Sequence, residues 1–467
     1  MLKGSLDEER KKMAKLTFIN HASYVIETDE TLLIVDPWVE GGAFDNGWSL
    51  LDKSINNKMM VEYINKTSKI KFIWLSHEHS DHFSVPFLKA LKETKTEVKF
   101  LFQKTLDRRV AKFIKKMGFS VTESNDKLEV LDTELSIATF PYRGGDSYCL
   151  TMVNEFSILN INDCVLNDEK GVERVIRSYN KYTNNIDLLL TQFGYANWVG
   201  NQNDVNMRKE QAQEKLKRIS LQVKRFQPRA VIPFASFVYF CDPENFHTND
   251  SQNTPKDVAI LFDNRKVLSN LIVLKPWDSL DLIKPLEQDL VERDKNVMHW
   301  EKLYNECRPQ SAIEKKVSIE EIQESYSIFK RKIFDHFLIA PSLLERFNFL
   351  HPIKFFLHDL NVNVFLSYRE GLKIESGCKE ECDIALLAST LQFILINEYG
   401  ANTTKVNGKF ESISDRGVAI FDRHFSPQEY MKMGYGLKHP FTTLRIVVGK
   451  LFHKLRNKAW DLNPTTD

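Results

Sequence analysis

The stretch that decides the fold is His77-Glu78-His79-Ser80-Asp81-His82, which follows a strand predicted over residues 70–75. Two imidazoles separated by one residue can bind one cation from the turn after a strand. Asp81 and His82 lie one turn further on and can face a second cation. Glu78 and Ser80 alternate with these ligands, so we expect them to point away. Because neighbouring imidazoles must stay neutral or repel one another, this cluster would be costly without a metal, and it predicts a site for two ions.

Short strands and helices alternate around this stretch. Period-two patterns and turn residues predict the following strands: 16–20, 24–27, 31–35, 98–102, 128–131, 135–140, 149–153, 156–161, 188–191 and 230–233. Helical spacing of apolar residues covers 85–91, 106–117 and 206–226. This half of the chain is therefore predicted to be α/β, with the metal residues at the end of a strand.

The composition and the predicted secondary structure both change near residue 285, which suggests a domain boundary. Beyond it come charged helical segments over 287–303 and 313–340, a strand pair over 362–368 and 371–375, and an apolar helix over 384–398. The 467 residues are also too many for one ordinary core. We therefore predict a metal-binding domain over residues 14–285 and an accessory α+β domain of unknown role over residues 286–467.

The composition limits the location and the partners. The chain is 42% hydrophobic and 27% charged, with 64 Lys and Arg against 63 Asp and Glu, so it lacks the charge excess of nucleic-acid or anionic-membrane binders. Residues 1–15 lack a signal-like apolar core, and no apolar run reaches the roughly eighteen residues that cross a bilayer. We expect a cytoplasmic protein with six reduced cysteines, no transmembrane segment and a small-molecule substrate. A homo-oligomer is left open.

The run at residues 77–82 matches the pattern His-x-His-x-Asp-His, and the chain thereby resembles the metallo-β-lactamase superfamily. The segments Asn20-His21-Ala22-Ser23 and Leu33-Ile34-Val35-Asp36-Pro37-Trp38 are similar to the opening of the branch that contains ascorbate-phosphate lactonases and a phospholipase D acting on N-acyl ethanolamine lipids. This resemblance implies a four-layer αββα fold. It also implies that Asp36 orients a metal-bound histidine. His21 would reach the mouth of the site as a catalytic residue.

A further resemblance, over roughly residues 16–262, is to the β-lactamase-like domain of CMP-N-acetylneuraminate hydroxylases. It is carried by Ser157-Ile158-Leu159-Asn160-Ile161-Asn162-Asp163-Cys164 and by residues 228–235 and 249–255. On this mapping Asp163 is the carboxylate that bridges the two metals.

Two ligand positions of the superfamily pattern are altered in this chain. No histidine stands between His82 and His247, so the third histidine of the first metal site is missing. Asp146 is the hard ligand available in its place, and Tyr142 lies near the same position. The final histidine of the pattern falls on Asp242, with His247 five residues later, and the sequence does not choose between them. Since carboxylates are harder ligands than imidazole, an oxygen-richer site favours iron or manganese over zinc.

We consider three functions for a protein that holds one or two divalent metal ions at such a site. The first is a hydrolase in which Asp81 binds metal and holds a metal-bound hydroxide, acting on an ester, a lactone or a phosphoester such as a sugar nucleotide or related metabolite. The second is an iron-dependent oxygenase, which would need a separate reductase because no cysteine has a histidine two or three residues away, as a Rieske centre requires. The third is a non-catalytic binding protein with a degenerate metal site.

Overall fold

The computed structural model of the protein describes residues 13–264, 269–284, 286–310, 316–337 and 339–436, with residues 440, 441, 444 and 448 beyond them. Its first part carries seven strands: β1 Lys15–Asn20, β2 Ser23–Glu27, β3 Thr31–Val35, β4 Trp48–Leu50, β5 Ile70–Leu75, β6 Lys99–Phe102 and β7 Ser120–Glu123. Three helices alternate with them: α1 Asn57–Asn65, α2 Val85–Glu93 and α3 Arg109–Lys116.

The next part of the chain continues with nine strands: β8 Leu128–Val130, β9 Leu135–Pro141, β10 Ser147–Val153, β11 Phe156–Asn162, β12 Leu188–Gln192, β13 Ala230–Phe234, β14 Val238–Phe240, β15 Asn270–Leu271 and β16 Ser279–Asp281. It also carries three helices: α4 Glu169–Tyr179, α5 Val205–Phe226 and α6 Pro255–Asn264.

The remaining part is richer in helices. These are α7 Leu290–Glu306, α8 Ile319–His336, α9 Pro341–Arg346, α10 Ala388–Ile396, α11 Gly400–Asn407 and α12 Gly417–Lys432. Its strands are β17 Ile353–Leu357, β18 Val362–Ser367, β19 Gly371–Glu375, β20 Ile384–Leu386 and β21 Glu411–Ser412.

Two seven-stranded sheets form the centre of the first half. One has the order β16-β1-β2-β3-β5-β6-β7 and the other the order β15-β13-β12-β11-β10-β9-β8. A large apolar core contains side chains from both sheets and from α4 and α5, while a second core joins the first sheet to α1, α2 and α3. Apolar faces on both sides of a sheet need cover on both sides, which explains this layering. The predicted four-layer αββα class is confirmed.

Strands β14 and β4 pair in a small two-stranded sheet. A five-stranded sheet, with the order β19-β18-β17-β20-β21, lies in the C-terminal part and shares a separate apolar core with α8, α10 and α12. The predicted helix over 384–398 is wrong in its first three residues, which form β20 in parallel pairing with β17. Ile384, Ala385 and Leu386 are all buried. A short apolar run of this kind has no periodicity that distinguishes a buried strand from a buried helix.

Helix α7 belongs to the first large core although it follows residue 285. Its Trp300 is fully buried there, stacks at a tilt on Phe237 and donates its indole N–H to the Leu274 carbonyl. The separate core of the C-terminal sheet begins at Val317, after residues 311–315 in the sequence. The predicted boundary at Pro285 stays a prediction, and that residue lies outside the described ones.

Candidate metal centre

The loops at one edge of the two central sheets bring the predicted residues together. The run 77–82 follows β5, His21 follows β1 and Asp36 follows β3, whereas Asp146 precedes β10 and Asp163 follows β11. Several of these loops need unusual backbone conformations, with φ of 39° at His21 and 38° at Asp36. Such conformations cost free energy and persist where the surrounding structure imposes them, as at functional sites.

The first group of ligand atoms comes from His77, His79 and Asp146. His77 Nε2 lies 2.8 Å from His79 Nδ1 and 3.9 Å from Asp146 Oδ1. Asp146 therefore lies beside His77 and His79, and its role in place of the missing third histidine stays a prediction. Tyr142, the alternative at this position, turns away and donates its hydroxyl to the Val165 carbonyl.

The second group comes from His21, Asp81 and His82. The Nε2 atoms of both imidazoles lie 3.3 Å from Asp81 Oδ2. All three side chains are at most 2% exposed, yet His21 Nδ1, Asp81 Oδ1 and His82 Nε2 have no hydrogen-bond partner. Since buried polar atoms are normally satisfied, these orphaned atoms fit a site that a cation completes.

Asp163 lies between the two groups. Its Oδ2 is 3.7 Å from His77 Nε2 and 3.4 Å from His82 Nε2, and the three residues form a third candidate group. This carboxylate therefore contacts one histidine from each pair, which is the position that a bridging ligand requires. On its other side, Asp163 Oδ1 accepts a hydrogen bond from Gln192, whose carbonyl oxygen accepts from buried Lys215.

Asp36 holds the ring of His82 in place. Its Oδ2 lies 2.9 Å from His82 Nδ1 and also accepts from the Ser76 hydroxyl and the Asn162 amide. A carboxylate on Nδ1 leaves Nε2 facing the site. The expected role of Asp36 in a loaded site stays a prediction, while Ser76 and Asn162 are partners that the sequence did not reveal.

In the metal-free site, burial and neighbouring charges shift the pKa values of the candidate ligands in opposite directions. Burial, followed by the charge of His82, lowers the pKa of His77 to about 4. Burial would also lower the pKa of His82, but three carboxylates led by Asp81 outweigh it and hold this pKa well above the usual value. Burial next to Asp163 raises the pKa of Asp146 to about 7. Burial would raise the pKa of Asp163 as well, yet the charge of His82 holds it at about 2.

Asp242 and His247 lie outside the candidate metal groups found among the described residues. Asp242 Oδ2 forms an ion pair with Lys409 at 3.1 Å, and its Oδ1 accepts from the backbone of Glu244. His247 is half-buried, and burial and the charge of Arg208 lower its pKa. The structure instead brings His21 into a candidate group with Asp81 and His82.

The two residues between the ligands point away from the metal groups, as expected. Ser80 is exposed, and its hydroxyl oxygen accepts from the Phe44 backbone. Glu78 reaches the C-terminal part, where it accepts a hydrogen bond from Tyr399 at 2.9 Å and lies 3.7 Å from Lys432 Nζ. No spacing pattern in the sequence links residues more than 300 positions apart, so this contact was not predictable.

The donor set fits two divalent ions. Four imidazoles and three carboxylates converge from His21, His77, His79, Asp81, His82, Asp146 and Asp163. His77, His79 and Asp146 would hold the first ion. His21, Asp81 and His82 would hold the second, and Asp163 would be shared between the two. Such a mixture of nitrogen and oxygen ligands accommodates zinc, iron or manganese, so the donors alone do not select the metal.

Several known proteins are similar to part of this chain. A family model described as a β-lactamase superfamily domain matches residues 15–199. The cytidine monophosphate-N-acetylneuraminic acid hydroxylase of Xenopus laevis is 31% identical over 111 residues, which are 24% of this chain and 18% of that protein. The hydroxylase of Danio rerio is 24% identical over 280 residues, or 56% of this chain and 44% of that protein. The chain thus spans less than half the length of these two relatives.

Solved structures with distant similarity include CmlA, a diiron β-hydroxylase from Streptomyces venezuelae, at 14% identity and a TM-score of 0.41, covering 58% of this chain and 54% of that one. Another is the metallo-β-lactamase fold protein YhfI from Bacillus subtilis, at 12% identity and a TM-score of 0.37, covering 58% of this chain and 100% of that one. Within the described residues, no helix is both long and apolar enough to cross a membrane.

Proposed function

We propose that this chain, which carries a β-lactamase superfamily domain over residues 15–199, is a metal-dependent hydrolase of an ester, lactone or phosphoester metabolite, a sugar nucleotide among them. The observation that carries this proposal is the convergence of seven ligand side chains in three overlapping groups at one sheet edge. The buried atoms without partners in the second group support it further.

The side chains have separate roles in this proposal. His77, His79 and Asp146 would hold one metal, His21 and His82 would hold the other, and Asp163 would bridge them. The bound ions would supply a hydroxide near neutral pH and polarise the scissile carbonyl or phosphoryl group. Asp81 would bind the second metal and accept a hydrogen bond from the attacking hydroxide, which orients it towards the substrate. Asp36 would accept the Nδ1 proton of His82 and thereby keep Nε2 directed at the metal.

An iron-dependent oxygenase is the second candidate, because the relatives from Xenopus laevis and Danio rerio are named hydroxylases. The replacement of the missing histidine by Asp146 points the same way, since it enriches the site in the oxygen ligands that iron accepts. Such a reaction would require electrons from a separate reductase. The cytoplasmic location and any homo-oligomer stay predictions.

Elemental analysis distinguishes these functions. The full chain, purified from rich medium, would be assayed for Zn, Fe and Mn beside His77→Ala, His79→Ala and a control, His358→Ala, which changes an exposed histidine in the C-terminal part. We expect metal in the wild type and the control but a large loss in the two site variants. Zinc together with hydrolysis of a lactone or phosphoester panel supports the hydrolase.

The other outcomes are equally informative. Two irons per chain, with consumption of oxygen when a chemical reductant is added, would replace the hydrolase by the oxygenase. Metal bound without turnover of any panel substrate would argue against the hydrolase and leave a binding protein. Equal metal content in the wild type and both site variants would contradict the whole proposal.

A further inference from the structure

A buried lysine lies behind the candidate bridging ligand Asp163. Lys215 belongs to α5 and is only 8% exposed, whereas Lys217, two positions further along this helix, is exposed to solvent and pairs with Glu214. The Lys215 ammonium donates a hydrogen bond to the side-chain oxygen of Gln192, the last residue of β12. Burial of a charged group costs free energy. The stability of the fold alone therefore gives no reason for a lysine at this position.

The Gln192 amide joins this lysine to Asp163. Its Nε2 lies 3.2 Å from Asp163 Oδ1, to which it donates, and its Oε1 accepts from Lys215 Nζ. An ammonium can only donate hydrogen bonds, and a carboxylate can only accept them. The amide therefore satisfies both neighbours in one orientation, with its oxygen towards Lys215 and its N–H group towards Asp163. The Ala235 carbonyl, 3.5 Å from the same Nε2, is a weaker acceptor on that side.

The two oxygens of Asp163 consequently have different surroundings. Gln192 holds Oδ1, whereas Oδ2 lies 3.7 Å from His77 Nε2 and 3.4 Å from His82 Nε2. Each of these histidines also belongs to a second candidate metal group. A hydrogen bond to one oxygen fixes the orientation of the carboxylate, and it leaves the other oxygen to be shared by two ions.

We propose that Lys215 is a positioning residue of the metal centre: through the Gln192 amide it fixes the orientation of Asp163 and thereby directs Oδ2 at both metal groups. This inference rests on the metal binding of the proposed function, and it assigns a role to a lysine that acts on a ligand through another side chain. Repulsion between this lysine and the ions would be small, because the charges of two divalent ions are balanced by carboxylates. These are the side chains of Asp36, Asp81, Asp146 and Asp163.

The same lysine should weaken the metal-free fold. Burial, followed by the charge of Arg218, lowers the pKa of Lys215 to about 7, so at pH 6.5 the ammonium predominates and is buried at a cost. At this pH, Lys215→Met should therefore stabilise the protein against urea in the presence of chelator, and yet weaken metal binding. Removal of a lysine that only supported the packing of α5 would lower both the stability and the metal affinity.

Competition for zinc between the full-length protein and a chromophoric chelator at pH 6.5 measures the effect on the site. Gln192→Met removes the direct partner of Asp163 and should weaken zinc affinity about 10- to 100-fold, as is typical for partners of metal ligands. Lys215→Met removes the donor to Gln192 and should weaken it about tenfold, at the lower end of that range. Lys215→Arg retains a charged donor and should restore most of the affinity. The matched control Lys217→Met, on the exposed face of the same helix, should bind zinc as the wild type does.

A double variant tests whether Lys215 acts through Gln192. If it does, Lys215→Met should have no further effect on zinc affinity once Gln192→Met is present. An equal effect in both backgrounds would reveal a direct action of the lysine charge on the ions and would overturn the inference. If Lys215→Met does not fold, Gln192→Met tests the same link, since unchanged zinc affinity in that variant would equally overturn it.

The outcomes separate this inference from the proposed function. Unchanged or tighter zinc binding by Lys215→Met would overturn the inference alone, because the wild type would still hold its metal. Zinc affinity that depends on Lys215, without hydrolysis of any panel substrate, would support the inference and argue against the hydrolase. A wild type that binds no divalent ion would overturn both.

Discussion

Replacing Asp146 by Asn should have opposite effects on the metal-free and the metal-loaded protein. In the absence of metal, burial beside Asp163 raises the pKa of Asp146 from 3.8 to about 7. At 1.36 kcal/mol per pKa unit, keeping this carboxylate ionised would cost the fold about 4 kcal/mol at most. Because 19% of the side chain is exposed to water, we expect about half of this value, roughly 2 kcal/mol.

The sign of the pH dependence follows from the raised pKa. The unfolded chain loses the proton of Asp146 near pH 4, whereas the metal-free fold keeps it until about pH 7. The wild type should therefore lose stability relative to Asp146→Asn as the pH rises between these values, and the difference should stay constant above them. In the presence of metal the wild type should be more stable than Asp146→Asn, since an amide binds a cation more weakly than a carboxylate does.

Urea unfolding measures both effects, at pH 4.5 and pH 8, with chelator and with added metal. Glu155→Gln, an exposed change in the turn between β10 and β11, is the control and should behave as the wild type throughout. The reasoning would be refuted if Asp146→Asn destabilised the chelated protein at pH 8. It would also fail if the variant gained as much stability from metal as the wild type.

Three other changes test separate parts of the structure. Asp36→Ala removes the carboxylate that holds His82 and should weaken metal affinity about 10- to 100-fold in a competition assay with a chromophoric chelator. Lys215→Met should stabilise the protein in urea unfolding, and increasingly so as the pH falls from about 10 to about 7, because burial and then the charge of Arg218 lower the pKa of this lysine to about 7. Trp300→Ala should lower the free energy of unfolding by about 3–5 kcal/mol, since the indole is fully buried in the first core.

Local patterns in the sequence were sufficient for most of the central fold. The strands that became β1, β2, β3 and β5 were predicted to within a residue at each end, because their apolar runs are bounded by turn residues. Short strands such as β4, β14 and β16 were not predicted. Each has only three residues, and its pairing partner is distant in sequence, so no local pattern marks it.

Only part of the candidate site could be predicted from the sequence. The ligands at 77–82 stand together in the sequence, and a metal site could be expected from their chemistry alone. Asp146 could be named because the missing histidine left one hard ligand in the right segment. His21, however, was expected only near the mouth, whereas its Nε2 lies 3.3 Å from Asp81. The contact between Glu78 and Lys432 could not be predicted, since it depends on how the C-terminal part of the chain packs against the central sheets.

The protonation states of the metal-free site are consistent with a site that is completed by metal ions. Without metal, the pKa of Asp146 is raised and that of His82 is raised as well, so both side chains tend to carry a proton that a metal would displace. A site built for structural hydrogen bonds would satisfy its buried atoms internally, yet His82 Nε2 and Asp81 Oδ1 have no partner. Divalent ions would remove both conflicts at once, because they replace the protons and supply the missing contacts. A metal held by Asp146 in place of a histidine would meet a harder and more pH-dependent site, while the other candidate ligands would still surround it.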